Sequence, residues 1–256
     1  MIEVKLLGIT PNAEQIIEEA GRTAYLSFDK KSEYPILKLK NSSGITKIIY
    51  TEKEREFIEK RENDKIEYSE DNWDVVKRWE NSAAKFIEML INSGHHSVLE
   101  HSYATFRIKG GSRAFTHQIV RHRLSSFTQQ SQRYVDEKDF EYIIPDSIEE
   151  NEAAKRIFIE FMATAKDTYH KLRELNVKRE DARFVLPNAT ESEIVISANF
   201  REWRHIFELR GHPTAQWEIR KIIIEIYKIL RNEARSVFFD FKYDKEKGTL
   251  VKKNRY

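Results

Sequence analysis

Ser102-Tyr103-Ala104-Thr105-Phe106-Arg107-Ile108-Lys109-Gly110-Gly111-Ser112 alternates residue by residue. Ala104, Phe106 and Ile108 fall on one face and Tyr103, Thr105, Arg107 and Lys109 on the other, the period of two that marks a half-buried strand. Gly110-Gly111 ends the alternation, and the hydroxyl of Ser112 can accept from the free N–H groups of a following helix, predicted to run through Arg123. Upstream, Ile2 to Leu7 reads as a short strand, with Thr10 and Pro11 as cap and first residue of a helix to about Arg22. Asp74 to Ser93 reads as a helix closed by Gly94. Downstream lie an amphipathic helix from about Ser147 to Leu175 and a shorter helical stretch that carries Arg183 and is stopped by Pro187. A strand over Glu193 to Ala198 precedes a helix after Asn199 that buries Phe200, Trp203 and Phe207, places Arg201 and His205 together, and ends at Gly211. An apolar helix from Pro213 to about Phe239 follows. The fold class expected is α+β, a central mixed or antiparallel sheet flanked by helices. No Rossmann fold is expected, because the eight glycines form neither a G-x-G-x-x-G nor a Walker A spacing.

No Pro/Gly/Ser-rich linker divides the 256 residues, so one domain over 1–256 is expected, decorated by a charged surface insertion at about 29–72. Within that insertion Glu52 to Asp71 holds nine acids and five bases in twenty residues, with Glu56 and Lys60 at helical spacing. The net charge of only +2 is unlike that of a protein that coats nucleic acid. No apolar run approaches membrane-spanning length, and Met1 leads straight into strand-like sequence without a signal peptide, so a cytoplasmic protein with no membrane partner is expected. The chain has no cysteine, which removes thiolate nucleophiles, disulfide exchange, Fe–S clusters and Cys-zinc sites.

The segment from His101 to Val135 has no acidic residue, where about six would be expected at the overall composition, yet it carries Arg107, Lys109, Arg113, Arg121, Arg123 and Arg133. At its centre Arg121-His-Arg-Leu-Ser-Ser-Phe-Thr-Gln-Gln-Ser-Gln-Arg-Tyr134 is dense in hydrogen-bond donors, the composition of a cradle for an anion. Gln118 and Arg121 lie three apart and share a helix face. Arginine does not titrate in a useful range, so Arg121, Arg123, Arg133, Arg183 and Arg210 can bind and polarise but not shuttle protons. Ser131 lacks an elbow motif and reads as a phosphate ligand rather than a nucleophile. His95, His96, Glu100 and His101 match no H-E-x-x-H or usual zinc spacing, so a polar ligand-binding loop is expected there and no metal. His122, between two arginines, reads as a neutral ring. Two rivals use the same residues: an arginine-rich nucleic-acid-binding module stacking bases on Phe127 and Tyr134, and a metal-dependent phosphohydrolase built on the histidine loop.

Arg121-His122-Arg123, seven residues, then Ser131 with Gln132-Arg133-Tyr134 following, resembles the signature of the flavin-dependent thymidylate synthases. Similarity extends to the His95–His101 loop, Ala182-Arg183-Phe184-Val185-Leu186-Pro187, Asn199 with Arg201, and Leu209-Arg210 followed by Ala215-Gln216-Trp217-Glu218; the 29–72 insertion and the basic tail lie outside it. The resemblance implies methylation of deoxyuridine monophosphate (dUMP) to thymidylate with FAD as bound cofactor. NADPH and methylenetetrahydrofolate would be co-substrates, and a homotetramer would share its active sites between subunits. Carried over, it places Ser97, Arg121, His122, Arg123, Leu124, Gln129, Asn199, Arg201 and His205 against FAD. It places Gln118, Arg121, Gln129, Gln130, Ser131, Gln132, Arg133, Arg183 and Arg210 against the nucleotide, with Arg210 as the catalytic residue that activates the uracil. Gln129 stands where some members carry Glu, and so can hydrogen-bond without carrying charge.

Overall fold

The computed structural model describes residues 2–41, 46–50 and 73–252. β1 (Glu3–Ile9) and α1 (Ala13–Tyr25) are followed by β2 (Ile36–Asn41), β3 (Thr46–Tyr50), β4 (Trp73–Trp79) and α2 (Ser82–Asn92). β5 (Tyr103–Ser112), α3 (Arg113–Ile119) and β6 (Ser126–Gln129) lead into α4 (Asp146–Glu149), α5 (Glu152–Glu174) and α6 (Arg179–Ala182). β7 (Glu191–Asn199), α7 (Phe200–Arg210), α8 (Trp217–Glu233) and the hairpin of β8 (Phe241–Asp244) with β9 (Thr249–Lys252) complete the order. The main sheet runs β1-β5-β7-β6 with every neighbouring pair antiparallel, and a second antiparallel sheet runs β3-β2-β4. This is the expected α+β class with an antiparallel sheet and flanking helices.

The alternation in β5 sets the core. Ala104, Phe106 and Ile108 pair in register with Ala198, Ile196 and Ile194 of β7, so six apolar side chains share one face of the sheet and all are buried. Against that face pack Trp203 and Phe207 of α7 and Ile219, Ile222, Ile223 and Ile226 of α8. Trp203 presents its edge to Phe106, with ring centroids 5.3 Å apart, and donates its indole N–H to the Ala104 carbonyl at 3.2 Å. The sheet therefore fixes α7, and α7 carries the functional side chains described below.

Several element boundaries differ from the sequence reading, each for a local reason. Thr10 does not cap α1; its hydroxyl accepts the Tyr103 N–H at 2.8 Å and joins β1 to β5, while Asn12, at φ 51°, precedes the helix. Asp74 to Trp79 is strand, not helix: the β-branched Val75 pairs with Leu39 of β2, beside a register shift that leaves Val76 out of the pairing, and Asn81 caps α2 by accepting the Ala84 N–H at 2.9 Å. Part of the 29–72 segment is packed, since Ile36 and Leu39 of β2 are buried; residues 51–72, with the Glu56–Lys60 spacing, lie outside the described residues. Gly110-Gly111 does not end β5 but lies within it, where the pairing to β7 shifts register and Gly110 takes φ +80°, an angle glycine adopts without penalty. α3 stops at Ile119 instead of Arg123, because the chain must reverse for Ser126 to pair with Ser197. Asn151 caps α5 and divides the 147–175 helix, and Gln216, accepting the N–H groups of Glu218 and Ile219, starts α8 later than Pro213. The carboxy-terminal hairpin was not anticipated by the period of two, its strands being four residues each.

Candidate active site

β7 passes into α7 at Asn199, whose side-chain oxygen accepts the Glu202 N–H at 2.8 Å. This cap fixes the helix start at the end of a central strand. Opposite it, the turn after α3 is held by His122 N–H to the Ile119 carbonyl (3.1 Å) and Ser125 N–H to the His122 carbonyl (3.0 Å). These two elements and the short 3₁₀ turn Ser97–His101 enclose a cleft of about 860 Å³. Arg121, His122, Arg123, Leu124, Asn199, Arg201, His205 and Arg210, all singled out in the sequence, line it together. Ser97 lies in the 3₁₀ turn, whose Leu99 and Glu100 reach the lining.

The cleft holds fixed positive charge. Arg201 pairs with Glu100 at 2.5 Å and Lys252 with Glu208 at 2.9 Å, and the buried Arg204 is bound bidentately by Asp240. Arg121, Arg123 and Arg210 have no acidic partner among the described residues. Arg210 donates from Nε to His122 Nε2 at 3.0 Å and from Nη2 to the Gln118 carbonyl at 3.5 Å. Burial and the neighbouring Arg121 lower its pKa, yet a guanidinium keeps its proton at any ordinary pH.

His122 is buried, and its pKa is lowered to about 4 by burial first, then by Arg210 and His205. The neutral ring expected from sequence is thus present, but the opposing arginine comes from α7 rather than from the flanking positions. The His205 ring lies edge-on at 5.8 Å between centroids, and Glu202 Oε1 is 3.3 Å from His122 Nδ1. Burial raises the Glu202 pKa, and His205 opposes that shift.

A depressed imidazole pKa means that between pH 6.5 and about 4 the unfolded chain binds a proton the folded one refuses. The stability that neutral His122 contributes is complete above pH 6.5 and declines as pH falls through that window. Urea unfolding across this range should show wild type losing roughly 3 kcal/mol relative to His122→Gln. Parallel stability curves for the two proteins would contradict the buried, neutral assignment.

The remaining predicted residues form a second group. Gln129 donates from its amide nitrogen to Thr116 Oγ1 (2.9 Å) and Ser192 Oγ (3.0 Å), so a neutral amide is what this environment accommodates. Gln130 donates to Glu137 Oε1 at 3.0 Å, and the Ser131 hydroxyl accepts the Arg133 N–H at 3.3 Å; Gln132 is buried. Arg133 pairs with Glu180 at 2.7 Å, and Arg183 donates from Nε to the Glu180 carbonyl at 3.0 Å. Burial, then the nearby Arg183, lowers the Arg113 pKa, while burial raises that of Glu137. Gln118 contributes its carbonyl to Arg210 and turns its own amide back to the Ala114 carbonyl. Arg133 and Arg183 do not line the cleft.

The acid-free segment does not leave all its bases unpartnered. Arg107 is bound by Glu193 and Arg133 by Glu180, acids supplied by other parts of the chain, though exposed pairs of this kind contribute only about 0–1 kcal/mol. Sequence reasoning missed Glu202, whose spacing from Asn199 reads as a helix-capping pattern, and Tyr103 and Lys252, which line the cleft from strands. Three side chains of the rival readings are engaged elsewhere, while Tyr134 is exposed. Phe127 packs against the main core, so it is not a free stacking platform, while His95 packs edge-on to Tyr25 and His96 Nε2 bonds the Ile91 carbonyl at 3.2 Å. Among the described residues no helix is long and apolar enough to cross a membrane.

A family model described as Thymidylate synthase complementing protein matches residues 5–234. The flavin-dependent thymidylate synthase of Geobacter sulfurreducens is 43% identical over 157 residues, covering 60% of this chain and 68% of the relative. That of Pyrococcus furiosus is 39% identical over 173 residues, 66% of this chain and 69% of the relative. That of Clostridium tetani is 32% identical over 253 residues, 93% of this chain and 85% of the relative.

Proposed function

The chain belongs to the flavin-dependent thymidylate synthase family, and we propose that its cleft holds FAD beside the uracil ring of dUMP, with NADPH as reductant and methylenetetrahydrofolate as carbon donor. The observation that carries this reading is the convergence of Arg121, Arg123 and Arg210, without acidic partners among the described residues, on one cleft with a neutral His122. Of these, Arg121 and Arg123 fit a pyrophosphate-bearing cofactor, because charge-assisted hydrogen bonds to phosphate contribute roughly 1.5–3 kcal/mol each. The exposed Leu124 and the His205 ring add surface for a flat ring system. Bound there, FAD supplies the hydride that the methyl group of thymidylate requires.

The chain's own contribution is positioning and charge. Arg210 stabilises negative charge on the uracil ring near N3 as carbon 5 becomes nucleophilic, and no proton need leave the guanidinium. Asn199 and Arg201 anchor cofactor at the start of α7, and Ser97 belongs to the 3₁₀ turn that borders the cleft through Leu99 and Glu100. Gln130, Ser131, Arg133 and Arg183 hold the nucleotide phosphate. Because Arg133 and Arg183 lie outside the cleft of their own chain, they serve a cleft completed by another copy, in a homotetramer with shared sites. The exposed Ile157 and Phe161 on α5 and the exposed Phe184 beside Arg183 support that assembly. With no cysteine in the chain, attack of a thiolate on carbon 6 has no nucleophile here, which favours the flavin route. Gln129 acts as a hydrogen-bonding strut rather than a charge.

The function is tested by incubating the FAD-loaded protein with dUMP, NADPH and methylenetetrahydrofolate and measuring thymidylate. Product that disappears when any one component is omitted supports the reading, and its absence from the complete mixture contradicts it. Within this scheme Arg133→Ala should weaken dUMP affinity by about 10- to 100-fold, the loss of one charge-assisted phosphate contact, with little change in saturated turnover. Unchanged dUMP affinity in titration calorimetry would exclude the contact.

A further inference from the structure

We propose that Glu202 is a positioning residue for Arg210, acting through His122 by fixing which ring nitrogen carries the proton. This rests on the reading that Arg210 faces the reacting base. Arg210 Nε always bears hydrogen and so can only donate. It lies 3.0 Å from His122 Nε2, so that nitrogen must present its lone pair. A neutral imidazole has one N–H, and it is then on Nδ1, 3.3 Å from Glu202 Oε1. His122 and Glu202 are each 5% exposed. The order carboxylate–imidazole–guanidinium is thereby directional: the Nδ1–H faces Glu202 Oε1 at 3.3 Å, and Nε2 accepts the Arg210 Nε–H.

Removing the carboxylate removes one of the two neighbours that favour the Nδ1–H form, leaving only the Arg210 Nε–H to favour it. With hydrogen on Nε2, two donors oppose each other at 3.0 Å and the guanidinium must move. Arg210 is otherwise tethered through Nη2 to the Gln118 carbonyl at 3.5 Å, a long contact that cannot hold it alone. With Nε and Nη2 engaged, Nη1 is the edge without a partner among the described residues, and the relay sets where that edge points. Glu202 is itself placed by the helix start, since its backbone N–H is the donor capped by Asn199. The other charged or titratable groups facing the relay are Arg121, beside Arg210, and His205, beside both His122 and Glu202.

The test compares Glu202→Ala and Glu202→Gln with wild type, all loaded with FAD. Alanine should lower kcat on the order of tenfold to a hundredfold, the consequence of a displaced catalytic group, with dUMP affinity and FAD content near wild type. Glutamine, whose carbonyl oxygen accepts the Nδ1–H, should restore most of that loss. Independently of turnover, ¹⁵N NMR of histidine-labelled protein should find His122 protonated on Nδ1 in wild type and on Nε2 in part of the Glu202→Ala population. A wild-type ring protonated on Nε2 would overturn the proposal even if the alanine variant failed to fold, and so would wild-type kcat in Glu202→Ala. If Arg210→Ala itself turns over normally, the base-contact reading falls and the proposal with it. If Arg210→Ala is inactive while Glu202→Ala is not, only the relay falls.

Discussion

Arg210→Ala is expected to lower saturated turnover by on the order of 10²–10³-fold, the scale found when a preorganised charge is removed from a developing anion, while FAD content stays near wild type. The separation follows from position. Arg210 ends α7, and its contacts within the chain are to His122 and to the Gln118 carbonyl; the arginines proposed for FAD are Arg121, Arg123 and Arg201 of the same cleft. Arg210→Lys is a sharper probe, because it keeps the charge but loses the Nε donor that meets His122. It should recover only part of the rate. Wild-type turnover in the alanine variant, or loss of flavin in proportion to rate, would remove Arg210 from the chemistry.

The second large effect is structural. Trp203→Ala should destabilise the fold by roughly 3–5 kcal/mol, the range for deleting a fully buried aromatic side chain. At about 2–4 °C per kcal/mol for a chain near this length, that lowers Tm by roughly 6–20 °C. Trp203 is fully buried, meets Phe106 edge-on, and donates to the Ala104 carbonyl. It therefore couples the strand whose alternation defines the core to the helix that bears Arg201, His205 and Arg210. Trp203→Phe keeps an aromatic body without the N–H and should cost clearly less. Scanning calorimetry that finds the alanine variant within about 1 kcal/mol of wild type would contradict the packing described.

These expectations rest on parts of the fold that were readable because their signals are local. The alternation of Ala104, Phe106 and Ile108, and the helical spacing of Phe200, Trp203 and Phe207, need only neighbouring residues to be recognised, and both faces are buried as read. The grouping of Arg121–Leu124 with Asn199, Arg201, His205 and Arg210 followed from the family signature and not from periodicity. What escaped depends on distant partners. The strand at Asp74–Trp79 exists because β2 pairs with it. The turn carrying Arg121 to Arg123 is non-helical because β6 must reach β7. Arg133 finds Glu180, and His122 finds Glu202, across long stretches of chain. An absence of acids nearby in sequence therefore did not mean an absence nearby in space, and that inference held for Arg121 and Arg123 but failed for Arg107 and Arg133.

If one cleft brings a flavin and a pyrimidine monophosphate into contact, the visible absorption spectrum of the FAD-loaded protein will report it during titration with dUMP. Bound flavin is expected, with an absorption band that shifts saturably with dUMP. Protein that retains no FAD, or a flavin band indifferent to saturating dUMP, would contradict it.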